Sequence, residues 1–426
     1  MVLEANIAKR LIKGSGANLA GKVWALATQL LAVPVMTHFW GVDGFGVWLM
    51  ISTIPTYLAL SDFGLGVAAS VVMTSAMERG DKETAQKAFQ SVWAFLTAGT
   101  TIIGALSIVI AWIWLTFTQQ AAAGPFPVSE VFLAICLTVI AALFSLQMSI
   151  RKIVFNATHK YALGTALLDG LYFANMLCML MAIALGAGLV GATTVFLIGR
   201  LFCLTVYIAL QRHYEPWCKG GLTAASSATL KPLLNPSMGA LALTMANSFG
   251  LQGVVLTIGW TFGPAAAAVF ATTRLLTRIP LQFSGLLVRA SLPELTRAQI
   301  SGKTDLTARL MHINTLSAMA IMIPATIGLV AIGPSVLTYM SDGEMTNDRL
   351  SFALLGIAAL FSALWTTMGT RLIAVNRQSE FAYLALGLYG ATALVPVMGS
   401  DDLLYVLMAI ALADGMIALR IWRARE

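Results

Sequence analysis

Stretches of roughly 20 mostly apolar residues recur from one end of this chain to the other, and that spacing leaves few folds open. A helix crossing a hydrocarbon core about 30 Å thick needs about that many residues, because each adds about 1.5 Å of rise. Twelve stretches are readable, near residues 15–40, 44–74, 88–117, 130–150, 161–185, 189–211, 233–260, 264–292, 311–340, 350–370, 380–398 and 402–421. Composition agrees: 58% of residues are hydrophobic and 11% charged, where a soluble domain would carry about 25% charge. The expectation is an all-α integral membrane protein.

In a soluble protein a net charge of +7 would suggest a nucleic-acid partner, so the placement of the basic residues decides its meaning. One set of connections carries Lys9, Arg10, Lys13, Arg79, Lys82, Lys87, Arg151, Lys152 and Lys160. The set continues with Arg212, Lys219, Lys231, Arg297, Lys303, Arg309, Arg371, Arg377, Arg420, Arg423 and Arg425. The opposite connections carry only Arg349. This positive-inside bias puts both termini in the cytoplasm with an even number of spans, and no nucleic-acid partner is implied. The first span is too long for a signal-peptide core and lacks a cleavage pattern, so it is read as retained. Cys136, Cys178, Cys203 and Cys218 form no CxxC pair, and neither a disulfide nor a metal site is expected.

The chain repeats itself. "WGVDGFGVW" at 40–48 and "FGPAAAAVF" at 262–270 share a pattern at an offset of 222, and "RGDKETAQKAF" from Arg79 matches "SGKTDLTARLM" from Ser301 at the same offset. A third anchor pairs "RKIVFNATHKYA" from Arg151 with "RLIAVNRQSEFA" from Arg371 at offset 220, setting Asn156 on Asn376. Ordered anchors indicate an internal duplication. Two parallel six-helix repeats follow, a lobe over 1–211 and a lobe over 233–426, joined by a cytoplasmic linker over 212–232 and enclosing a central cavity. The linker reading rests on its Gly, Ser and terminal Pro content. Short outer connections leave no room for a folded extracellular domain.

Motifs that resemble catalytic or nucleotide sites are better read as packing and turns. "GANLAGKV" from Gly16 fits a phosphate-binding loop but ends in Val where Ser or Thr must reach magnesium, and no strand precedes it. "GAGLVG" at 186–191 is turn chemistry between two spans. The histidines His38, His159, His213 and His312 show no ligand spacing. No catalytic residue, resident cofactor or enzyme activity is expected.

Chemistry enters through buried charge. "ATTRLLTRIPLQFSGLLVRAS", residues 271–291, carries Arg274, Arg278 and Arg289 without an acid. A charge at mid-bilayer costs about 2.5–3.5 kcal/mol on insertion scales, so such residues face a cavity or a partner. Arg274 and Arg278 lie about 40° apart on the helical wheel, while Arg289 reads as snorkelling to the inner surface. Lys22 and Arg200 also fall within spans, against three intramembrane acids, Asp62, Asp169 and Asp414. At offset 222 Arg274 corresponds to Ser52, Arg278 to Thr56, Lys22 to Thr244 and Asp62 to Ser284. If both repeats fold alike, the fold does not require these charges. Asn18, Lys22 and Gln29 form a polar stripe on the first span. The first and eighth helices are therefore expected to line the cavity with positive charge for an anionic cargo. Asp62, Asp169 and Asp414 are read either as carriers of a coupling proton or sodium ion or as structural partners of the arginines.

With those residues in hand, the chain resembles the polysaccharide-transport branch of the multidrug/oligosaccharidyl-lipid/polysaccharide exporters, the O-antigen and repeat-unit flippases. The likeness rests on "GKVWALATQLLAVPVMTHFWGVDGFGVW", "SDFGLG", "GPAAAAVFATTRLLTR" and "LPELTRA". It implies two lobes alternating between inward- and outward-open states in a bacterial cytoplasmic (inner) membrane. The implied cargo is an undecaprenyl-diphosphate-linked oligosaccharide for surface polysaccharide or lipopolysaccharide synthesis. Implied partners are membrane lipids and the polymerase and glycosyltransferases of the same pathway. Binding of the diphosphate then falls on Arg274 and Arg278, with Lys22 and Arg200 beside them. A cation-coupled multidrug exporter on the same fold is the alternative transporter. A membrane enzyme of lipid-linked sugars and a non-transporting scaffold are the readings from other classes.

Overall fold

The computed structural model describes residues 2–59, 65–118, 124–226, 229, 238–301, 303–374, 377–399 and 402–423. Every regular element among them is helical. Helix α1 (Val2–Ala59) is two helices joined at Gly41, whose φ of 70° and ψ of 174° interrupt it; a residue without a Cβ takes that conformation at little cost. The first half continues with α2 (Leu65–Glu78), α3 (Lys82–Thr118), α4 (Val128–Ala157), α5 (Tyr161–Ala184) and α6 (Leu189–Tyr214). In the second half, α7 runs from Met238–Ser248 through a π turn, Phe249–Gly253, into Val254–Phe262. Then come α8 (Pro264–Ile300), α9 (Thr304–Met340), α10 (Arg349–Ala374), α11 (Ser379–Leu394) and α12 (Leu403–Arg423). The helices follow the twelve apolar stretches.

Among the described residues, 10 helices are long and apolar enough to cross a membrane. The Gly16–Leu58 portion of α1 has 43 residues, about 65 Å of helix, enough for two crossings with the bend at Gly41 between them. Helix α8, the arginine-bearing one, is not among the ten. Outward faces are apolar: on α3, Ile102, Leu106, Val109 and Ile110 are all more than half exposed, and their spacing puts them on one side of the helix. Such a stripe suits lipid contact and would be a liability in water.

Two compact units result, Met1–Trp40 with Ile51–Met238, and Gly41–Met50 with Gly239–Glu426. In the N-terminal unit α2, α3 and α4 meet around Met73, Phe89, Leu96 and Val154. Beside them Phe155, Leu168 and Tyr207 join α4, α5 and α6. Gly164 permits that second contact, since a Cβ there would stand 2.6 Å from Phe155 Cβ. In the C-terminal unit one core gathers Val254, Phe270, Leu355, Val406 and Leu407, and another gathers Leu295, Trp365, Phe381, Tyr389 and Ile417.

Two features depart from the arrangement expected of the sequence. Ten residues of the first repeat, Gly41–Met50, pack with the second unit. There Asp43 Oδ1 accepts from the backbone N–H of Ala265 at 3.1 Å, satisfying a donor at the start of α8, and a Cβ on Gly46 would lie 1.9 Å from the Pro264 carbonyl oxygen. The second is in the expected linker, whose described part is held to the bundle. Residues 215–226 are bound to α3 through Gln86, Gln90 and Ser91.

Backbone geometry bears out the duplication and corrects its register. Gly41 (φ 70°) and Gly263 (φ 92°) stand 222 positions apart. At the same offset, Asp81 N donates to Ala76 O and Lys303 N to Ala298 O, both at 2.9 Å. The turn closing α4 runs from Lys160 N to Phe155 O, and its mate closing α10 runs from Arg377 N to Leu372 O, 217 positions on. The third anchor is therefore displaced by three residues from the offset of 220 read in the sequence, because α10 is shorter than α4 and the turn, not the Asn, is the structural landmark.

Candidate functional site

Polar groups converge inside the C-terminal unit. The π turn of α7 places Gly250 against α11, where a Cβ would lie 2.9 Å from two ring carbons of Tyr389. Only a glycine admits the ring that closely. Its carbonyl oxygen accepts from Arg274 Nη1, so the same backbone position seats an aromatic ring and anchors a guanidinium. π turns disturb the usual i→i−4 ladder and recur at functional sites. Arg274 is 6% exposed, with its guanidinium carbon 5.6 Å from the Phe270 ring centroid.

Asp414 of α12 is the acidic member. Completely buried, it accepts at Oδ1 from Ser362 Oγ at 2.7 Å, Trp365 Nε1 at 2.8 Å and Tyr389 Oη at 2.5 Å. Ser362 and Trp365 are one turn apart on α10 and so present their donors side by side. The other oxygen, Oδ2, is buried without a hydrogen-bond donor among the described residues. Arg274 acts on Asp414 and on Arg278 through space, with no direct ion pair between Arg274 and Asp414. A carboxyl with one fully donated oxygen and one bare oxygen is a place for a proton or a small cation.

The predicted site residues divide among these surroundings. The sequence puts Arg274 and Arg278 on one cavity-lining stripe. The structure separates them: Arg274 is buried within its own bundle, bound to the α7 backbone, and Arg278, one turn on, is half-exposed. Arg289 belongs to α8, and its side chain lies outside the described residues, as does Asp62.

In the N-terminal unit, Arg200 of α6 is half-buried and stacked between rings, 3.8 Å from the Tyr172 centroid and 4.9 Å from that of Phe196. Its Nε and Nη1 are buried without acceptors among the described residues. Asp169 of α5 faces α1, its Oδ2 2.0 Å from where a Cβ on Gly21 would stand. Gly21 thus clears the space next to Lys22, which is half-exposed. Ser362, Trp365, Tyr389 and Gly250 escaped the sequence reading. The i, i+3 pairing of Ser362 with Trp365 was the only local signal.

No family model and no curated relative matches this chain. Solved structures do match in fold. An inward-facing multidrug-resistance MATE family transporter of the MOP superfamily superposes with a TM-score of 0.73 at 15% identity, covering 94% of each chain. A point variant of a Vibrio cholerae MATE transporter gives 0.68 at 15% identity over 100% of this chain and 97% of its own. A MOP superfamily transporter from Pyrococcus furiosus, described by a reverse polarity of its binding pocket and a different function, gives 0.66 at 13% identity, covering 98% and 95%. The architecture is that of the MATE-like transporters, an all-α, multi-pass membrane fold.

Proposed function

We propose that this chain is an alternating-access transporter that moves a lipid-linked anionic oligosaccharide, of the undecaprenyl-diphosphate class, from the inner to the outer leaflet. The observation that supports it most is intramembrane positive charge lacking direct carboxylate pairs in the described structure, at Arg274, Arg278 and Arg200. Arginine suits a diphosphate because its planar fork offers paired donors, and desolvation strengthens each contact. In this reading Arg278 is the diphosphate-binding cation of the C-terminal unit and Lys22 and Arg200 are those of the N-terminal unit, while Arg274 holds the α7–α8 geometry that presents Arg278. Asp414 exchanges the coupling proton or sodium ion at its bare oxygen, with Asp169 and Asp62 as the acids of the other half. The orientation follows the basic connections, with both termini cytoplasmic in a bacterial inner membrane.

The Pyrococcus furiosus transporter, whose reversed pocket polarity is described as suggesting a different function, supports looking beyond multidrug resistance on this fold. A cation-coupled multidrug exporter is the second reading, favoured by the buried acid Asp414 and by the multidrug transporters among the fold's relatives. Reconstitution with a fluorescent lipid-linked oligosaccharide separates the two. Arg278→Glu is expected to abolish flipping at near-normal insertion and abundance, and Asp414→Asn to flatten its dependence on an ion gradient. Unchanged flipping by Arg278→Glu, or drug efflux with no flipping by the wild type, rules out the flippase reading.

A further inference from the structure

The two halves close their basic ends differently. In the first, the segment after α6 folds back onto α3: Lys219 O accepts from Gln86 Nε2 and Gln90 Nε2, Lys219 N donates to Gln86 Oε1, and Ala224 N donates to Gln90 Oε1. Cys218, 2% exposed, enters the core between α2, α3 and α4. By the 222-residue offset, Gln86 and Gln90 correspond to Ala308 and His312 of α9. An alanine has no side-chain amide with which to hold a returning segment.

At that place in the second half lies a cavity of about 760 Å³, bounded by α8, α9, α10 and α12. Met311, Met368, Leu372 and Ile421 form an apolar floor. Above it stand Lys303, His312, Arg371 and Arg377, arriving from α9, α10 and the connections flanking them. Among the described residues, no acidic side chain lines the cavity. Asp305 lies outside the lining although it shares the first turn of α9, and Glu380 is engaged from the side by Arg377 Nε. Thr304 and Thr307 border the same volume at the amino end of α9, where the Thr307 hydroxyl donates to Lys303 O at 3.1 Å; a helix amino end favours a bound anion.

We infer that this cavity binds a phosphate group carried by a larger molecule. Lys303 and Arg371, beside His312 and the Arg377–Glu380 ion pair, together with a helix amino end favour a multiply acceptor-rich anion. The volume falls in the range of small-molecule sites, about 300–1,000 Å³, far more than a bare phosphate fills, and the apolar floor receives the rest of the ligand. Two sources share this chemistry, an anionic phospholipid headgroup and a soluble phosphate ester. The inference stands apart from the proposed cargo, since it uses residues at the basic end of one bundle and none of the intramembrane arginines.

The test uses the full-length protein in nanodiscs. In phosphatidylcholine alone, pyrophosphate is titrated by calorimetry; separately, phosphatidylglycerol is introduced and thermal stability is measured. Two variants are compared with wild type, Arg371→Gln with Arg377→Gln, which removes charge, and Ala308→Trp, which fills the volume and keeps the charge. Saturable pyrophosphate binding weakened about tenfold or more in both variants, a loss of about 1.4 kcal/mol, identifies a soluble ligand. Stabilisation by phosphatidylglycerol without pyrophosphate binding, lost in both variants, identifies a lipid. Lys87→Gln, at the basic end of the first half, should leave either signal intact. Absence of both signals in wild type, or their persistence in both variants, overturns the inference. Should the charge-removing variant unfold early in phosphatidylcholine, Ala308→Trp carries the test alone.

Discussion

The first half of this protein seals its basic end with its own chain, and the second half holds an open basic cavity at the matching place. Deeper in the bundles the halves differ again: the first has Ser52 and Thr56 where the second buries Arg274 and half-buries Arg278. Loops and glycine bends persist between the halves at a 222-residue offset, as in the Ala76–Asp81 and Ala298–Lys303 turns. Backbone scaffold and polar content have thus separated. Since the first half folds with neutral residues, the charges of the second are not demanded by the architecture, which is the reason to read them as functional.

Replacing the C-terminal residues by their N-terminal mates attacks that comparison directly, and the two arginines should respond unequally. Arg274→Ser removes the partner of the Gly250 carbonyl and a cation that acts on Asp414 through space, so a loss of about 3–5 kcal/mol is expected, the cost of stranding one member of a buried charged set. Arg278→Ser, at a half-exposed position, should cost less than about 1 kcal/mol. Thermal unfolding in detergent reads both, and equal losses would show that the two arginines share one environment.

A smaller effect concerns the ten residues that cross from the first repeat into the second unit. Gly46 corresponds to Ala268 in the second repeat, so Gly46→Ala is conservative on repeat logic. It nevertheless drives a methyl group into the Pro264 carbonyl. Overpacking of this kind costs about 1–3 kcal/mol. A variant as stable as wild type would mean that Gly41–Met50 does not hold this contact in the membrane.

A more local change loosens the returning segment. Gln90→Ala deletes three hydrogen bonds, to Lys219, Thr223 and Ala224, each worth about 0.5–1.5 kcal/mol, and should speed alkylation of Cys218. pH offers the same lever. Burial pushes the Cys218 thiol up to about 12, the nearby Arg151 only partly offsetting it, so the seated segment keeps its proton where a released thiol ionises near its ordinary value of about 8.5. Seating is therefore fully favoured below about pH 8.5 and weakens progressively as pH climbs toward 12. Alkylation that follows the pH profile of a free thiol in wild type would contradict a seated segment.

Span number, an all-helical membrane fold and the duplication were legible in the chain, because lipid solvation imposes a length and a hydropathy that each span must meet by itself. The presence of intramembrane charge was equally legible, for the same one-dimensional reason. Tertiary structure alone decided what those charges meet. Wheel angles put Arg274 and Arg278 on one stripe, yet the π turn at Gly250, formed against Tyr389 on a distant helix, takes one arginine into the packing and leaves the other half-exposed. Likewise the sequence reads 212–232 as a polar linker without indicating that Gln86 and Gln90 bind Lys219 and Ala224, contacts spanning more than 120 residues. Partners so far apart in sequence are chosen by packing in three dimensions, on which local periodicity carries no information.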